Sequence, residues 1–197
     1  MRPRLLFRLT ALLAALWACG GGRLHAADLV APLVDAAPTL DGTIGEEEWS
    51  RALRVDGMAW QGVLERRRAA AYLMATSTHI YIAIRSQLPA EGTLLTDVKR
   101  DSENLVYDDS VEVWLDPTPG SEAGYRYQML ANALGHRWHK QHAYGGMPEQ
   151  TGWRGDWQVA SGLRAGEWHC EIGIPVAQVS AGRASGEGAW GVNVCRN

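Results

Sequence analysis

The stretch YDDSVEVWLDPTPGSEAGYRYQMLAN, residues 107–132, decides the fold. From Val111 to Leu115, aliphatic residues alternate with polar or aromatic ones, and a period of two is typical of a β-strand with one buried face. Residues 117–120 hold two prolines and a glycine, which end the strand and allow a turn. A second strand follows over residues 125–132, so the stretch predicts a β-hairpin.

The face of this hairpin that is turned away from the aliphatic residues carries a carboxylate, an indole and amides. These groups suit a polar, ring-shaped ligand such as a sugar, because carboxylates and amides bond to hydroxyls and an indole offers a flat apolar surface. The predicted ligand-binding residues here are Glu112, Gln128 and Asn132. Trp114 lies two residues after Glu112 and is therefore on the same face of the strand. The sequence leaves open whether a second sheet covers it.

Further alternating or apolar runs predict the remaining strands. The runs cover residues 69–76, 80–85, 135–140, 157–163, 167–174 and 190–194. Residues 45–52 predict one or two helical turns, residues 87–104 a long loop, and residues 142–155 a glycine-rich segment. No long helix joins the strands, so the predicted fold class is all-β, an antiparallel β-sandwich of the immunoglobulin-like or jelly-roll type.

The first 27 residues have the composition of a secretory signal. Basic residues precede the apolar run LTALLAALWA, residues 9–18, which is too short to span a bilayer as a helix. We therefore predict a signal peptide over residues 1–27 and one domain over residues 28–197. The protein is expected to be secreted, or to reside in the periplasm or at the cell surface of a bacterium. The alternative is a lipoprotein signal that ends before a lipidated Cys19.

Charge and hydropathy limit the partners. The formal net charge is −3 at pH 7, and beyond the signal the one Lys/Arg-rich run is Arg66–Arg68. Nucleic acid is therefore not expected as a partner, and no segment after the signal predicts a membrane span. The sequence does not indicate an oligomeric state.

Two cysteines lie in strand-like runs near the C-terminus. In an oxidising compartment Cys170 and Cys195 are predicted to form a disulfide. The alternative is that both are small buried residues with free thiols.

Aromatic residues and histidines near the glycine-rich segment are further candidates. Trp138, Trp153 and Trp157 are predicted to contact the sugar, with core packing as the alternative for each. His136, His139 and His142 could suggest zinc. However, residues 136 and 139 of a strand point to opposite faces, and no cysteine or glutamate completes the set, so solvated histidines are preferred.

Six motifs in a fixed order resemble the family 9 carbohydrate-binding modules and related sugar-binding domains of secreted bacterial proteins. The motifs are PTLDGTIGEEEW, YLMATSTHIYIAIRS, DDSVEVWLD, YQMLAN, EWHCEIGIP and WGVNVCR. The resemblance extends from about Ala37 to the C-terminus. It implies a β-sandwich that binds glycans without cleaving them and that targets or anchors a larger extracellular protein to polysaccharide during carbohydrate catabolism. It also implies structural calcium, with ligands that the sequence does not identify, and no redox cofactor.

The resemblance assigns part of a binding site. The acid of the family falls on Glu112 and the amide of its last strand on Asn193, while its first platform tryptophan falls at Tyr107. Arg196 is a further candidate for bonding hydroxyls. The arginine and the second tryptophan of the family have no counterpart here. Family members continue with more strands, so the sandwich is expected to lack its C-terminal strands.

Three other functions remain open. Asp109 and Glu112 would be the carboxylate pair of a glycoside hydrolase acting on O-glycosyl bonds. A DOMON-like haem or redox domain would need an axial pair such as Met129 with a histidine. A purely structural domain of a surface protein would bind no glycan.

Overall fold

The computed structural model describes residues 6–9, 28–60, 63–64, 66–180 and 189–197. Its strands are β1 (Leu6–Leu9), β2 (Asp28–Val30), β3 (Leu53–Asp56), β4 (Ala59–Trp60), β5 (Val63–Leu64), β6 (Ala69–Ala75), β7 (His79–Gln87), β8 (Ser110–Asp116), β9 (Gly124–Asn132), β10 (Arg137–Tyr144), β11 (Gln158–Arg164), β12 (Glu167–Pro175) and β13 (Ala189–Arg196). The helices are α1 (Glu46–Trp49), α2 (Val176–Val179) and a 3-10 helix over Glu103–Tyr107.

These strands form two sheets that pack face to face. One has the order β10-β9-β8-β13-β1-β2 and the other the order β11-β12-β7-β6-β3, with a separate β4-β5 pair. Pairing within both sheets is antiparallel apart from β1 with β13. The predicted antiparallel β-sandwich is therefore confirmed, as is the central hairpin, now β8 and β9.

Apolar residues from alternate positions fill the space between the sheets. Val111, Val113 and Leu115 are fully buried there with Tyr127 and Met129. This is the aliphatic face predicted from the period of two. The opposite face of the same hairpin consequently points away from the core.

The five-stranded sheet is covered on its other side as well. A second apolar cluster, which includes Val34, Ile44 and Trp49, packs against Tyr72 and Tyr81 of β6 and β7. The segment before β3 therefore covers the outer face of β7, so this strand is buried on both faces although its residues alternate. Among the described residues, the outer face of the six-stranded sheet is covered at one end by the 95–108 loop, which lies over Asn132, while Trp114 and Gln128 remain partly exposed.

A buried carboxylate fixes that covering segment. Glu171 of β12 is fully buried and accepts hydrogen bonds from the backbone amides of Asp41, Gly42 and Thr43 at 2.8–3.2 Å. It also accepts one from the indole of Trp49 at 2.9 Å. Gly42 has a φ of 81° and lies so close to β11 that an added Cβ would be 2.7 Å from its backbone, which explains a glycine there.

Of the predicted signal peptide, residues 1–27, the structure describes only residues 6–9. The backbone of Leu6–Leu9, inside the predicted signal, lies between β2 and β13 in the six-stranded sheet. The predicted cleavage region and Cys19 lie outside the described residues. Among the residues that are described, no helix has the length and apolarity needed to cross a membrane.

Candidate functional site

The outer face of the six-stranded sheet brings most of the predicted polar residues together. In register, Asn193 of β13 lies opposite Trp114 of β8, Trp114 lies opposite Gln128 of β9, and Gln128 lies opposite Lys140 of β10. Residues directly opposite in a ladder share one face of the sheet. We call this surface the open face; it carries Glu112, Trp114, Asp116, Arg126, Gln128, Leu130, Trp138, Lys140, His142, Tyr144, Asn193 and Cys195.

Glu112 is the centre of a hydrogen-bonded group on the open face. Its Oε1 atom accepts hydrogen bonds from the indole Nε1 of Trp114 at 2.7 Å and from Nε2 of Gln128 at 2.6 Å. Both donors come from side chains, so they orient the carboxylate without tying it to the backbone. In the described part of the chain, Oε2 of Glu112 has no partner, which leaves one strong acceptor available to a ligand hydroxyl.

The same group fixes the tautomer of His142. A carboxylate only accepts, so the atom of Gln128 that contacts Glu112 must be its NH₂ group, and its carbonyl oxygen must face His142. That oxygen is 2.7 Å from Nε2 of His142, which therefore carries the proton and donates. Nδ1 of His142 is then an acceptor, and it has no partner among the described residues.

Two aromatic rings lie over this group. The Trp114 and His142 rings have centroids 4.9 Å apart and planes tilted by 33°, and both side chains are half-buried. Burial, with a smaller contribution from nearby Lys140, lowers the pKa of His142 below its ordinary value. The ring is therefore neutral at neutral pH, and the pair presents an uncharged aromatic surface beside the acceptor of Glu112.

A second aromatic group continues the open face along β10. The guanidinium of Arg126 lies 4.5 Å from the centroid of the Tyr144 ring, and its Nε is 3.2 Å from Oδ2 of Asp116. The Tyr144 hydroxyl is 3.2 Å from Oγ1 of Thr118. Because Arg126 remains exposed, its other donors are available to a ligand.

At the other end of the open face, a loop covers Asn132. Its amide donates to Oδ2 of Asp108 at 2.9 Å and to the carbonyl of Val98 at 3.0 Å, and the residue is fully buried. The prediction that Asn132 bonds a sugar was therefore wrong: it lies on the predicted face but holds the 95–108 loop against the sheet. Tyr107, at the end of the 3-10 helix in that loop, is 76% exposed at the rim.

Two of the three predicted platform tryptophans belong to the interior. Trp157 is fully buried, and its indole donates to Nδ1 of His139 at 3.1 Å. Trp153 packs against the core, with its ring 5.1 Å from that of Tyr127. Both sugar-contact predictions were wrong, because the segment after β10 turns back over the edge of the sandwich. Trp138 is different, since it lies on the open face beside Leu130.

Arg196 and Asp109 lie on the core side of their strands. Arg196 is opposite Val111 in register, its guanidinium is 4.5 Å from the centroid of the Trp168 ring, and it pairs with Asp109. Asp109 also accepts from the backbone amide of Leu95 at 2.6 Å. The prediction that Arg196 bonds a sugar was therefore wrong. The same geometry separates Asp109 from Glu112, which points to the opposite side of the sheet.

The predicted disulfide is also wrong. Cys170 lies in β12 with its side chain in the core, whereas Cys195 lies in β13 opposite Glu112 on the open face. The strands belong to different sheets and the two side chains point to different sides, so both thiols are free.

The histidines do not converge on a metal. His136 and His142 are at even-numbered positions, as are the residues of β10 on the open face, whereas His139 points into the core. The alternation of the strand predicts this difference. Within the described residues, no three side chains of His, Cys, Asp or Glu are grouped to hold an ion. The carboxylates of Asp108 and Asp109 accept hydrogen bonds from backbone amides and side chains, or pair with Arg196. These contacts do not identify ligands for the predicted calcium.

For the haem alternative, the histidine nearest to Met129 in register is His139, and these two side chains do not have the geometry of an axial pair. His139 lies directly opposite Met129, and both side chains point into the core. Opposite residues of an antiparallel pair have Cβ atoms about 5 Å apart on the same face. Two axial ligands must instead approach the iron from opposite sides of the haem plane.

Sequence reasoning missed His142 and Tyr144. Residues 142–155 were predicted as a glycine-rich segment after a strand over residues 135–140, but β10 continues to Tyr144. Alternation over Trp138, Lys140, His142 and Tyr144 was the signal that could have identified them. Trp114, whose position was left open, lies on the open face.

Comparisons with known proteins agree with this architecture. No protein-family model matches the chain, and no curated protein sequence matches it. Among solved structures, a family 9 carbohydrate-binding module from Caldicellulosiruptor kristjanssonii in complex with cellotriose is 14% identical, with a TM-score of 0.54 over 83% of this chain and 74% of that one. A structure of such a module from the same organism with glucose is 15% identical, with a TM-score of 0.54 over 83% and 75%.

A third structure comes from another organism. A proposed carbohydrate-binding protein from Bacteroides uniformis ATCC 8492 is 17% identical, with a TM-score of 0.54 over 75% of this chain and 71% of that one. At these identities the similarity concerns the fold alone. The resemblance inferred from the six motifs is confirmed at that level: the chain has the fold of the family 9 carbohydrate-binding modules.

Proposed function

We propose that the chain is a non-catalytic carbohydrate-binding domain whose open face binds the sugar. The observation that carries the proposal is the group around Glu112, in which Trp114 and Gln128 orient the carboxylate and leave its other oxygen without a partner in the described part of the chain. A free carboxylate oxygen beside two half-buried aromatic rings matches a pyranose, which has hydroxyls at its edge and an apolar face. Asn193 adds an amide on the same face.

The fold neighbours support the same ligand class. Two of them are carbohydrate-binding modules with cellotriose or glucose bound. Cellotriose and glucose are therefore the first ligands to test, with other glycans screened in parallel.

The geometry favours binding over hydrolysis. A glycosidase needs two carboxyl groups that flank one scissile bond. Asp109, the suggested partner of Glu112, points to the core side and is engaged by Arg196 and by the backbone of Leu95. Asp116, the other acid on the open face, is paired with Arg126.

The proposal includes export and the anchoring of a larger protein to polysaccharide. The basic start and short apolar run of residues 1–27 support export. N-terminal sequencing of exported material should begin near Asp28 or be blocked at a lipidated Cys19. Recovery of a protein that retains Met1 in the cytosol would contradict export.

A glycan array followed by calorimetric titration tests the binding function. The wild-type chain should bind at least one class of neutral glycan with micromolar to millimolar affinity, as expected for a few hydroxyl bonds of about 1 kcal/mol each. A folded Glu112→Ala variant should lose that binding. Absence of any glycan ligand for the folded wild type would favour a purely structural domain instead.

A further inference from the structure

The open face is longer than one sugar ring. Trp138, Lys140, His142 and Tyr144 occupy successive outward positions of β10. The six steps of the strand from Trp138 to Tyr144 span about 20 Å. The row therefore extends well beyond the footprint of a single pyranose, which is comparable in size to one tryptophan side chain.

Groups that suit sugars recur along this row. Trp138 begins it, half-buried, and its indole N–H has no partner among the described residues. The Trp114–His142 pair occupies the middle, with centroids 4.9 Å apart. The stacked Arg126 and Tyr144 form the far end, 4.5 Å from guanidinium to ring centroid. Flat surfaces with free polar atoms thus occur at three separate points.

The charges on the open face, to which this row belongs, balance. Glu112 and Asp116 are acidic, Arg126 and Lys140 are basic, so the four sum to zero (−2 + 2). Burial lowers the pKa of His142 and keeps it uncharged near neutral pH. A face without net charge offers no electrostatic preference for an acidic polymer, and it suits a neutral one.

The described segments at the two ends of the row flank it without covering it, since Trp138 and Tyr144 are half-buried and Lys140 is exposed. At the far end, the segment after β10 runs to the core side, where the Tyr125 hydroxyl donates to the carbonyl of Pro148 at 3.2 Å. At the near end, the loop that covers Asn132 reaches the sheet through Asp108. Lys140 and Arg126, between these segments, are exposed.

We propose that the open face is an extended binding track along β10 that holds an internal stretch of a linear, neutral polysaccharide, several sugar units long, rather than a chain end or a single sugar. This inference rests on the proposed function and specifies its ligand. Three consecutive platforms contribute together only if one chain lies across all of them.

The test is a length series measured by calorimetry with the full chain. The probes are glucan, xylan and mannan oligosaccharides from monomer to hexamer, each also with its reducing end converted to the alditol. For the glycan type that binds, affinity should rise at least tenfold from monomer to hexamer. Reduction of the hexamer should change its affinity less than twofold.

Variants at the two ends separate the track from a local pocket. Trp138→Ala and Arg126→Ala should each weaken hexamer binding by about threefold to tenfold, the magnitude of one lost stacking or polar contact. Each should weaken hexamer binding more than monomer binding. Leu163→Ala, at an exposed position on the other sheet, is the matched control and should alter nothing. Thermal melts confirm that each variant is folded.

The possible failures are distinguishable. Equal affinity for monomer and hexamer, or loss of binding after reduction of the end, would overturn the extended track while leaving sugar binding intact. No binding by any probe would overturn the proposed function, and the track with it.

Discussion

Gln128 donates a hydrogen bond of 2.6 Å from its side-chain amide to Oε1 of Glu112, across the ladder between β9 and β8. Because the carbonyl oxygen of the same amide accepts from His142 at 2.7 Å, one glutamine links three neighbouring strands of the open face. The carboxylate is therefore oriented before any ligand arrives. Preorganisation of this kind reduces the entropy lost on binding.

Glu112→Ala should weaken sugar binding by at least tenfold and leave the melting temperature nearly unchanged. The bonds that Glu112 makes join it to the side chains of Trp114 and Gln128 at the surface, and none joins it to the backbone. A charge-assisted bond to a hydroxyl contributes about 1.5–3 kcal/mol. Calorimetric titration beside thermal melts measures both effects. Unchanged affinity with a much lower melting temperature would assign Glu112 a structural role.

Glu171→Ala should destabilise the fold strongly. The substitution leaves the backbone amides of Asp41 and Gly42 and the indole of Trp49 without their acceptor, while the amide of Thr43 keeps Oδ1 of Asp41. Such a loss costs about 3 kcal/mol or more in the free energy of unfolding. Urea unfolding measures it, with Glu47→Ala on the exposed side of α1 as the control, which should change stability by less than about 0.5 kcal/mol. Equal stability of both variants would contradict the role of Glu171.

The contribution of the buried histidines to stability should fall as the pH drops through about 6.5. Burial lowers the pKa of His139, His142 and His169 in the folded state. Between the folded and unfolded pKa values, the unfolded chain therefore binds protons that the folded chain does not. The free energy of unfolding from these histidines is greatest above their unfolded pKa, and it declines as the pH falls toward their folded pKa values. Urea unfolding at about pH 7.5 and about pH 5.5 measures the decline.

His169→Gln isolates one contribution to that pH dependence. Nδ1 of His169 accepts from the amide of Ile44 at 3.0 Å, and a glutamine oxygen can replace that acceptor without titrating. The variant should lose less stability than the wild type between the two pH values. An identical pH dependence in both proteins would show that His169 is not kept neutral by the fold.

The two thiols should react slowly and should not be linked. Burial raises the pKa of Cys170 to about 12 and that of Cys195 to about 11, and the thiolate is the reactive form. Iodoacetamide at neutral pH should label neither residue rapidly in the folded protein and both after unfolding without reductant. A mass-spectrometric peptide pair joined through Cys170 and Cys195 would contradict the placement of these strands in separate sheets.

The fold was largely predictable from local patterns. Alternation from Val111 to Leu115 predicts the buried face correctly, because a strand between core and solvent imposes a period of two. Pattern alone did not reveal that the outer face of β7 is also covered. The covering segment is fixed by Glu171, about 130 residues away in sequence from the loop that it holds.

The site was predictable only in part. Alternation along the strands placed Glu112 and Gln128 on one face, the resemblance added Asn193, and the structure brings the three together. Alternation along a strand does not show whether a loop covers one of its faces. For that reason Asn132 was predicted to bind the sugar, whereas a loop covers it. Trp157 was wrongly predicted to contact the sugar for a related reason. Tertiary packing, and not the local sequence pattern, decides over which side of the sandwich the irregular segment after β10 runs.

The most direct test of the central claim is an NMR titration of the full chain with its best-binding glycan, observed at the tryptophan indole N–H groups. The indoles of Trp114 and Trp138 lie on the open face, whereas those of Trp49 and Trp168 are buried behind other layers. The account predicts that saturating glycan shifts the Trp114 and Trp138 resonances and the side-chain amide of Gln128, while Trp49 and Trp168 do not move. Saturation with glycan that leaves Trp114, Trp138 and Gln128 unshifted would contradict it.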